Sequence, residues 1–74
     1  MALSDAQLQW ITCVWRDANR HDNQDEWDSV MATISGYKYA MIALKKHNKK
    51  FEARMQVLNF LYNLALRRWI MAGT

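Results

Sequence analysis

The sequence predicts an all-α protein, a compact bundle of three to four helices with a long C-terminal helix. The 74 residues contain no proline and only two glycines, so the usual signals of β-turns are missing. Apolar residues also recur every three or four positions along most of the chain, as on the buried face of a helix. Because a chain of this length can bury only one core, we expect a single domain over residues 1–74.

Helix 1 is predicted over residues 5–19. Ser4 and Gln7 have the spacing of a capping box, in which a serine hydroxyl accepts a hydrogen bond from an amide of the first turn. From Leu8 onward, apolar residues cover more than half of the helix circumference. Residues 19–23 carry no apolar side chain, so we expect a short loop there before the second helix.

Helix 2 is predicted over residues 24–35 and helix 3 over residues 37–47. Asn23 followed by Glu26 has the pattern of an N-cap, and acidic side chains in the opening turns suit the positive end of the helix dipole. Gly36 is the predicted end of helix 2, because glycine adopts the left-handed conformation that ends many helices without a steric cost.

Helix 4, predicted over residues 49–71, is the longest element. Its apolar residues recur in alternating steps of four and three, and a second apolar stripe beside them leaves only a narrow polar strip. A helix with so narrow a polar strip is normally surrounded, so we expect helix 4 to be central or to be covered by a second copy of the chain. Helices 3 and 4 could also form one continuous helix, since no glycine or proline separates them.

The charged residues are distributed unevenly along the chain. Up to Gly36 there are six acids and two arginines, a net charge of −4, whereas from Tyr37 onward there are eight bases and one acid, a net charge of +7. Helix ends account for most of the acids but for only some of the bases. We therefore predict a broad basic surface, which is either a solubilising face or the site that binds a partner. It is formed by Lys38, Tyr39, Ile42, Lys45, Lys46, Lys49, Lys50 and Arg54.

Two kinds of partner fit such a surface. A protein with an acidic surface is preferred, because opposite charges steer two proteins together. A nucleic acid is the alternative, since the lysines could neutralise phosphates and Tyr39 could stack on a base.

Aromatic side chains are the other candidates for binding. Trp15, Trp27 and Trp69 lie on the predicted inward faces and are expected in the core. Small domains often need further support, and a single cysteine cannot form an internal disulfide, so a second chain is expected to supply it. The candidate interface of a homodimer consists of side chains off the main inward faces, namely Trp10, Cys13, Phe60 and Leu64.

Other functional classes have little support in the sequence. Ala32, Gly36 and Ile42 occupy positions typical of a helix-turn-helix, but that packing would turn Lys45 inward, so it is kept only as a minor alternative. The chain has neither the histidine and cysteine spacing of a metal or nucleophile site nor a glycine-rich phosphate loop. We therefore predict no metal, no cofactor and no enzymatic activity.

The predicted function is that of a small non-enzymatic protein–protein interaction module. It would be an adaptor or inhibitor, of the phage or plasmid accessory type, that occupies a partner's surface. Residues 1–5 lack the basic opening and the apolar stretch of a signal peptide, and no apolar stretch is long enough to span a membrane. The lone cysteine suits a reducing compartment, so we expect a cytoplasmic protein without a membrane partner. Two alternatives stay open: nucleic-acid binding through the lysine-rich face, and a structural homo-oligomer formed through the C-terminal helix.

Overall fold

A computed structural model describes residues 5–47 and 50–74 of the chain, with side chains described for residues 6–46 and 50–74. These residues form three α-helices: α1 (Asp5–His21), α2 (Gln24–Ala43) and α3 (Phe51–Ala72). A short 3₁₀ helix, Lys45–His47, lies between α2 and α3, and the described residues contain no β-strand. The all-α prediction is confirmed. The helix count is three. The predicted capping box at Ser4 and the predicted site residue Lys49 lie outside the described residues.

α1 and α2 form a helical hairpin with a connection of only two residues. The N–H of Asp22 donates to the carbonyl of Ala18 at 2.7 Å, which carries α1 two residues beyond its predicted end. Asp22 has a φ of 49°, a left-handed conformation that aspartate tolerates better than most residues. Asn23 then caps α2 as predicted, because its side-chain oxygen accepts from the N–H of Glu26 at 3.0 Å.

The predicted break at Gly36 is wrong. Gly36 lacks a left-handed φ, and α2 continues through it from Gln24 to Ala43, so predicted helices 2 and 3 are one helix. The physical reason is that the buried face keeps its phase on both sides of the glycine, at Val30, Ile34 and Met41. The helix-turn-helix alternative is therefore also wrong, because its two predicted helices are one continuous helix without a turn between them.

The predicted boundary between helices 3 and 4 is also corrected. α2 ends at Ala43, four residues earlier than predicted, where Leu44 leaves helical geometry and its N–H bonds the carbonyl of Met41 at 3.1 Å. α3 begins at Phe51 and ends at Ala72, and its N-cap, Lys50, makes no side-chain capping bond. α2 and α3 are therefore separate helices.

Replacement of Gly36 by alanine should stabilise the protein. Apart from its chain neighbours and the backbone of its own helix, a Cβ at this position would meet no atom within 4 Å, and the backbone is already helical. Alanine in a helix interior is favoured over glycine by about 0.5–1 kcal/mol, so the free energy of unfolding in urea should rise by that amount. The reverse change at an exposed site of the same helix, Ala32→Gly, should lower it by a similar amount. A loss of stability in Gly36→Ala would mean that the glycine works as a hinge or helix end.

α2 is the central element, since it packs against both α1 and α3. It is antiparallel to α3: Nε2 of Gln24 donates to the carbonyl of Trp69 at 3.1 Å near one end, and Nζ of Lys45 lies 5.3 Å from the centre of the Phe51 ring near the other. Four of the eight buried core residues belong to α2, in the set Ile11, Ala18, Trp27, Val30, Ile34, Met41, Leu58 and Ala65. The expectation that the C-terminal helix is central is therefore wrong.

Trp27 links all three helices. It is fully buried, and its ring meets that of Trp15 in α1 edge to face, with centroids 5.3 Å apart and planes at 85°. The guanidinium of Arg68 in α3 lies 5.7 Å from the Trp27 ring centre, and the indole N–H donates to Oδ1 of Asp22 at 3.0 Å. Trp15 and Trp69, also predicted in the core, are half-buried and pack against it.

Candidate interaction surface

α1 and α3 leave a groove between them where both pack on α2. Leu8 near the start of α1 lines the same depression as Val57 of α3, and Nη2 of Arg68 further along α3 lies 3.4 Å from Oδ1 of Asn19. The two helices therefore run in the same direction along the two walls. We call this feature the α1–α3 groove.

Three adjoining depressions make up the α1–α3 groove. The central one, of about 420 Å³, is lined by Leu8, Trp15 and Leu61 among others. Leu8 also lines a depression of about 280 Å³ that includes Val57, and Trp15 also lines one of about 380 Å³ that includes Met71. Because neighbouring depressions share a side chain, the groove is continuous along α3 from Val57 to Met71, a length of roughly 21 Å.

Large apolar side chains are exposed along this groove. Leu8 is 41% exposed, Val57 50% and Met71 65%. Phe60, which is 63% exposed, lies on the same side of α3, since it follows Val57 by three residues and precedes Leu64 by four. A contiguous apolar surface of this kind is typical of a binding site, because isolated exposed apolar residues are common but grouped ones are not.

Basic side chains accompany the apolar ones. The described residues that line the three depressions include no acid and five bases, namely Arg16, Lys50, Arg54, Arg67 and Arg68. Asp17 lies nine residues after Leu8, which places it half a turn away on the opposite side of α1. Within the described side chains, Arg16, Arg67 and Arg68 form no ion pair. The groove is therefore apolar and positively charged.

The described members of the predicted basic surface are divided among three places. Lys38, Tyr39 and Ile42 lie together and line a depression of about 390 Å³ with Ser35 and Tyr62, which we call the Tyr39 depression. The remaining described members lie elsewhere: Lys50 and Arg54 line the α1–α3 groove, whereas Lys45 and Lys46 are exposed at the 3₁₀ helix.

Two of the predicted lysines already contact aromatic rings. Nζ of Lys38 lies 5.3 Å from the centre of the Tyr62 ring, and Nζ of Lys45 lies at the same distance from that of Phe51. The first of these cation–π contacts contributes to the packing of α2 on α3, and the second to the packing of the 3₁₀ helix on α3. These two charges thus have a structural role within the fold.

The predicted oligomer interface is also divided. Leu64 lines the α1–α3 groove beside Met71, and Phe60 lies one turn before it on α3. Trp10, which is 55% exposed, lies two residues after Leu8 and so about 200° around α1 from the groove. Cys13 is a half-buried free thiol, with Nη2 of Arg16 at 3.9 Å from its sulfur.

Several residues of the groove were missed by the sequence analysis. Trp15 was assigned to the core alone, and Leu8, Val57, Met71 and the arginine pair at 67–68 were not proposed for binding. A signal was present in α3, where apolar residues at positions 57, 60, 64 and 71 repeat in steps of three, four and seven on one face.

The described part of the chain can also be compared with the geometry of metal sites and membrane-spanning helices. No three histidine, cysteine, aspartate or glutamate side chains of that part come together in a way that could hold a metal ion. None of its helices combines the length and the apolar character needed to cross a bilayer.

No protein-family model matches this chain, and no curated protein or solved structure matches it either. Its function is therefore argued from the geometry and chemistry of its own surfaces.

Proposed function

We propose that this chain is a non-enzymatic protein–protein interaction module, an adaptor or inhibitor that acts by occupying a partner's surface. The observation that supports this most directly is the α1–α3 groove, which is continuous, open and lined by large apolar side chains. Apolar surface left in water costs roughly 25 cal/mol per Å², and a partner that covers the groove recovers that free energy. A half-buried free thiol at Cys13 is compatible with action in the cytoplasm.

The chemistry of the groove also favours binding over catalysis. Among the described residues that line it there is no serine, cysteine, histidine or carboxylate, and its one hydroxyl, that of Thr12, donates to the carbonyl of Leu8 at 3.0 Å. Tryptophan, methionine and arginine side chains, all present in the groove, are instead enriched at the centres of protein interfaces.

Nucleic-acid binding is the second candidate, and the Tyr39 depression favours it. Tyr39 is 74% exposed and lies beside Lys38, an arrangement that could stack a base and neutralise a phosphate. The candidate is weaker because the predicted basic residues do not form one surface, and because Lys38 and Lys45 lie over aromatic rings of the chain itself.

Photo-crosslinking in the source cells tests both candidates. A benzophenone amino acid is placed at Phe60 beside the groove, at Tyr39, and at the exposed Ser29 of α2 as the control. We expect the Phe60 position to yield discrete protein adducts after irradiation, and the Ser29 position to yield none.

Each other result has a defined meaning. Protein adducts from Tyr39 alone would keep the interaction module but move its binding surface. Adducts that nuclease removes would favour nucleic-acid binding, which gel mobility at low and high salt would then confirm. No discrete adduct from either aromatic position would contradict the proposed function.

A further inference from the structure

We infer that the α1–α3 groove binds a single amphipathic α-helix of another protein, one with an apolar stripe and acidic residues on both of its flanks. This inference rests on the proposed function and adds the chemistry of the occupant.

The shape of the groove suits a helix. Its two walls are helices that run in the same direction, so a further helix laid between them would pack against both and add a fourth helix to the fold. The length from Val57 to Met71 accommodates about 14 helical residues, or four turns. An apolar stripe at every third or fourth position would face Trp15, Leu61 and Leu64, which lie along the groove.

The positive charge of the groove determines which charges the bound helix should carry on either side of its apolar stripe. Both walls carry bases, with Arg16 on α1 and Arg67 and Arg68 on α3. An acidic residue on either flank of the bound helix would therefore meet an arginine, and a basic one would be repelled. Neither Arg16 nor Arg67 has an acidic partner in the described part of the chain, so both charges are available to an incoming carboxylate.

A second copy of the chain fits this groove less well. In a symmetric dimer the same surface meets itself, so the arginines of one groove would approach the bases of the other. Like charges brought together in this way cost several kcal/mol. An acidic helix from another protein removes the same apolar surface from water and neutralises the bases as well.

A displayed library of helical peptides, selected for binding to the full chain, tests this inference. Each peptide has 14 residues by design, about four turns, with leucines fixed in one stripe and flanking positions randomised among Glu, Gln and Lys. We expect the enriched pool to carry an excess of Glu on both flanks. Fluorescence anisotropy on one enriched peptide should show weaker binding as salt is raised, since salt screens exposed charge pairs.

Two groove variants and two matched controls locate the binding site. Arg67→Glu should lower the affinity for the acidic peptide about tenfold and should raise the affinity for a Lys-flanked version. Lys46→Glu makes the same change in net charge outside the groove, and it should have little effect on either affinity. Leu64→Ala should also weaken binding about tenfold, and Trp10→Ala on the far side of α1 should not. Circular dichroism checks that each variant is folded.

Four results would overturn the inference. Equal enrichment of acidic and basic flanks, or no enrichment at all, would exclude an acidic helix. Binding lost in Tyr39→Ala but kept in Leu64→Ala would place the helix in the Tyr39 depression, and the interaction module would stand. A dimer that Arg67→Glu strengthens would identify a second copy as the occupant. Binding to anionic phospholipid vesicles without binding to any peptide would identify a lipid surface.

Discussion

Replacement of Trp27 by alanine should remove a large share of the protein's free energy of unfolding. Trp27 is fully buried and contacts α1 through Trp15 and α3 through Arg68, so its removal opens a cavity where the three helices meet. Large-to-small changes of a buried tryptophan cost about 3–5 kcal/mol. Small proteins have roughly 0.05–0.15 kcal/mol of stability per residue, which is about 4–11 kcal/mol for a chain of this length. The expected loss is therefore a large share of the whole.

Urea denaturation followed by circular dichroism measures this loss. Trp10→Ala is the matched control, because it removes the same side chain from a position that is 55% exposed, and its effect should stay within about 0.5 kcal/mol. The loss in Trp27→Phe should be smaller than in Trp27→Ala and larger than in Trp10→Ala, since phenylalanine keeps much of the buried aromatic surface but loses the indole N–H. Equal stability of the two alanine variants would contradict the central position of Trp27.

The helices were predictable from the sequence where their signals are local. The Asn23 cap depends on residues within one turn of each other, and it is found as predicted. Gly36 was misjudged because only its local preference was weighed. A glycine in a helix interior costs about 1 kcal/mol, whereas burial of a side chain such as Ile34 or Met41 contributes about 1.5–3 kcal/mol. Because those buried residues keep one helical phase through Gly36, their burial favours a continuous helix.

The groove was harder to predict because it is formed by two helices distant in sequence. Apolar periodicity shows that Val57 and Leu64 share a face of α3, but it does not show whether α2, α1 or solvent covers that face. Which element covers that face depends on the central position of α2, and no local sequence pattern predicts that position. The same limit explains why the basic residues were predicted as one surface, although Lys38 and Lys50 line different depressions.

Replacement of Asp22 by alanine should destabilise the protein more than is usual for an exposed position. Asp22 has two roles in the hairpin between α1 and α2: it adopts a left-handed conformation with φ 49°, and its Oδ1 accepts a hydrogen bond from the indole of Trp27 at 3.0 Å. A buried donor left without an acceptor costs about 1–3 kcal/mol, and alanine in the left-handed region costs about 1–2 kcal/mol. The combined loss should be about 2–5 kcal/mol.

A series at Asp22 separates the two roles. Asp22→Asn keeps both the acceptor and the tolerance of a left-handed backbone, so the free energy of unfolding should change by less than about 0.5 kcal/mol. Asp22→Gly suits the backbone but removes the acceptor, so it should lie between the asparagine and alanine variants. The glycine-to-alanine difference then measures the backbone cost, and the asparagine-to-glycine difference measures the hydrogen bond.

A double-mutant cycle with Trp27→Phe checks the assignment of the hydrogen bond. In the Trp27→Phe background the indole donor is gone, so Asp22→Gly should cost much less than in the natural chain, while the glycine-to-alanine difference should be unchanged. An equal cost of Asp22→Gly in both backgrounds would show that the two side chains act independently. The hairpin between α1 and α2 also affects the groove. Because it orients α1 on α2, it places Trp15 beside Leu64. A variant that loosens the hairpin should therefore weaken binding in the groove without any change in the groove residues themselves.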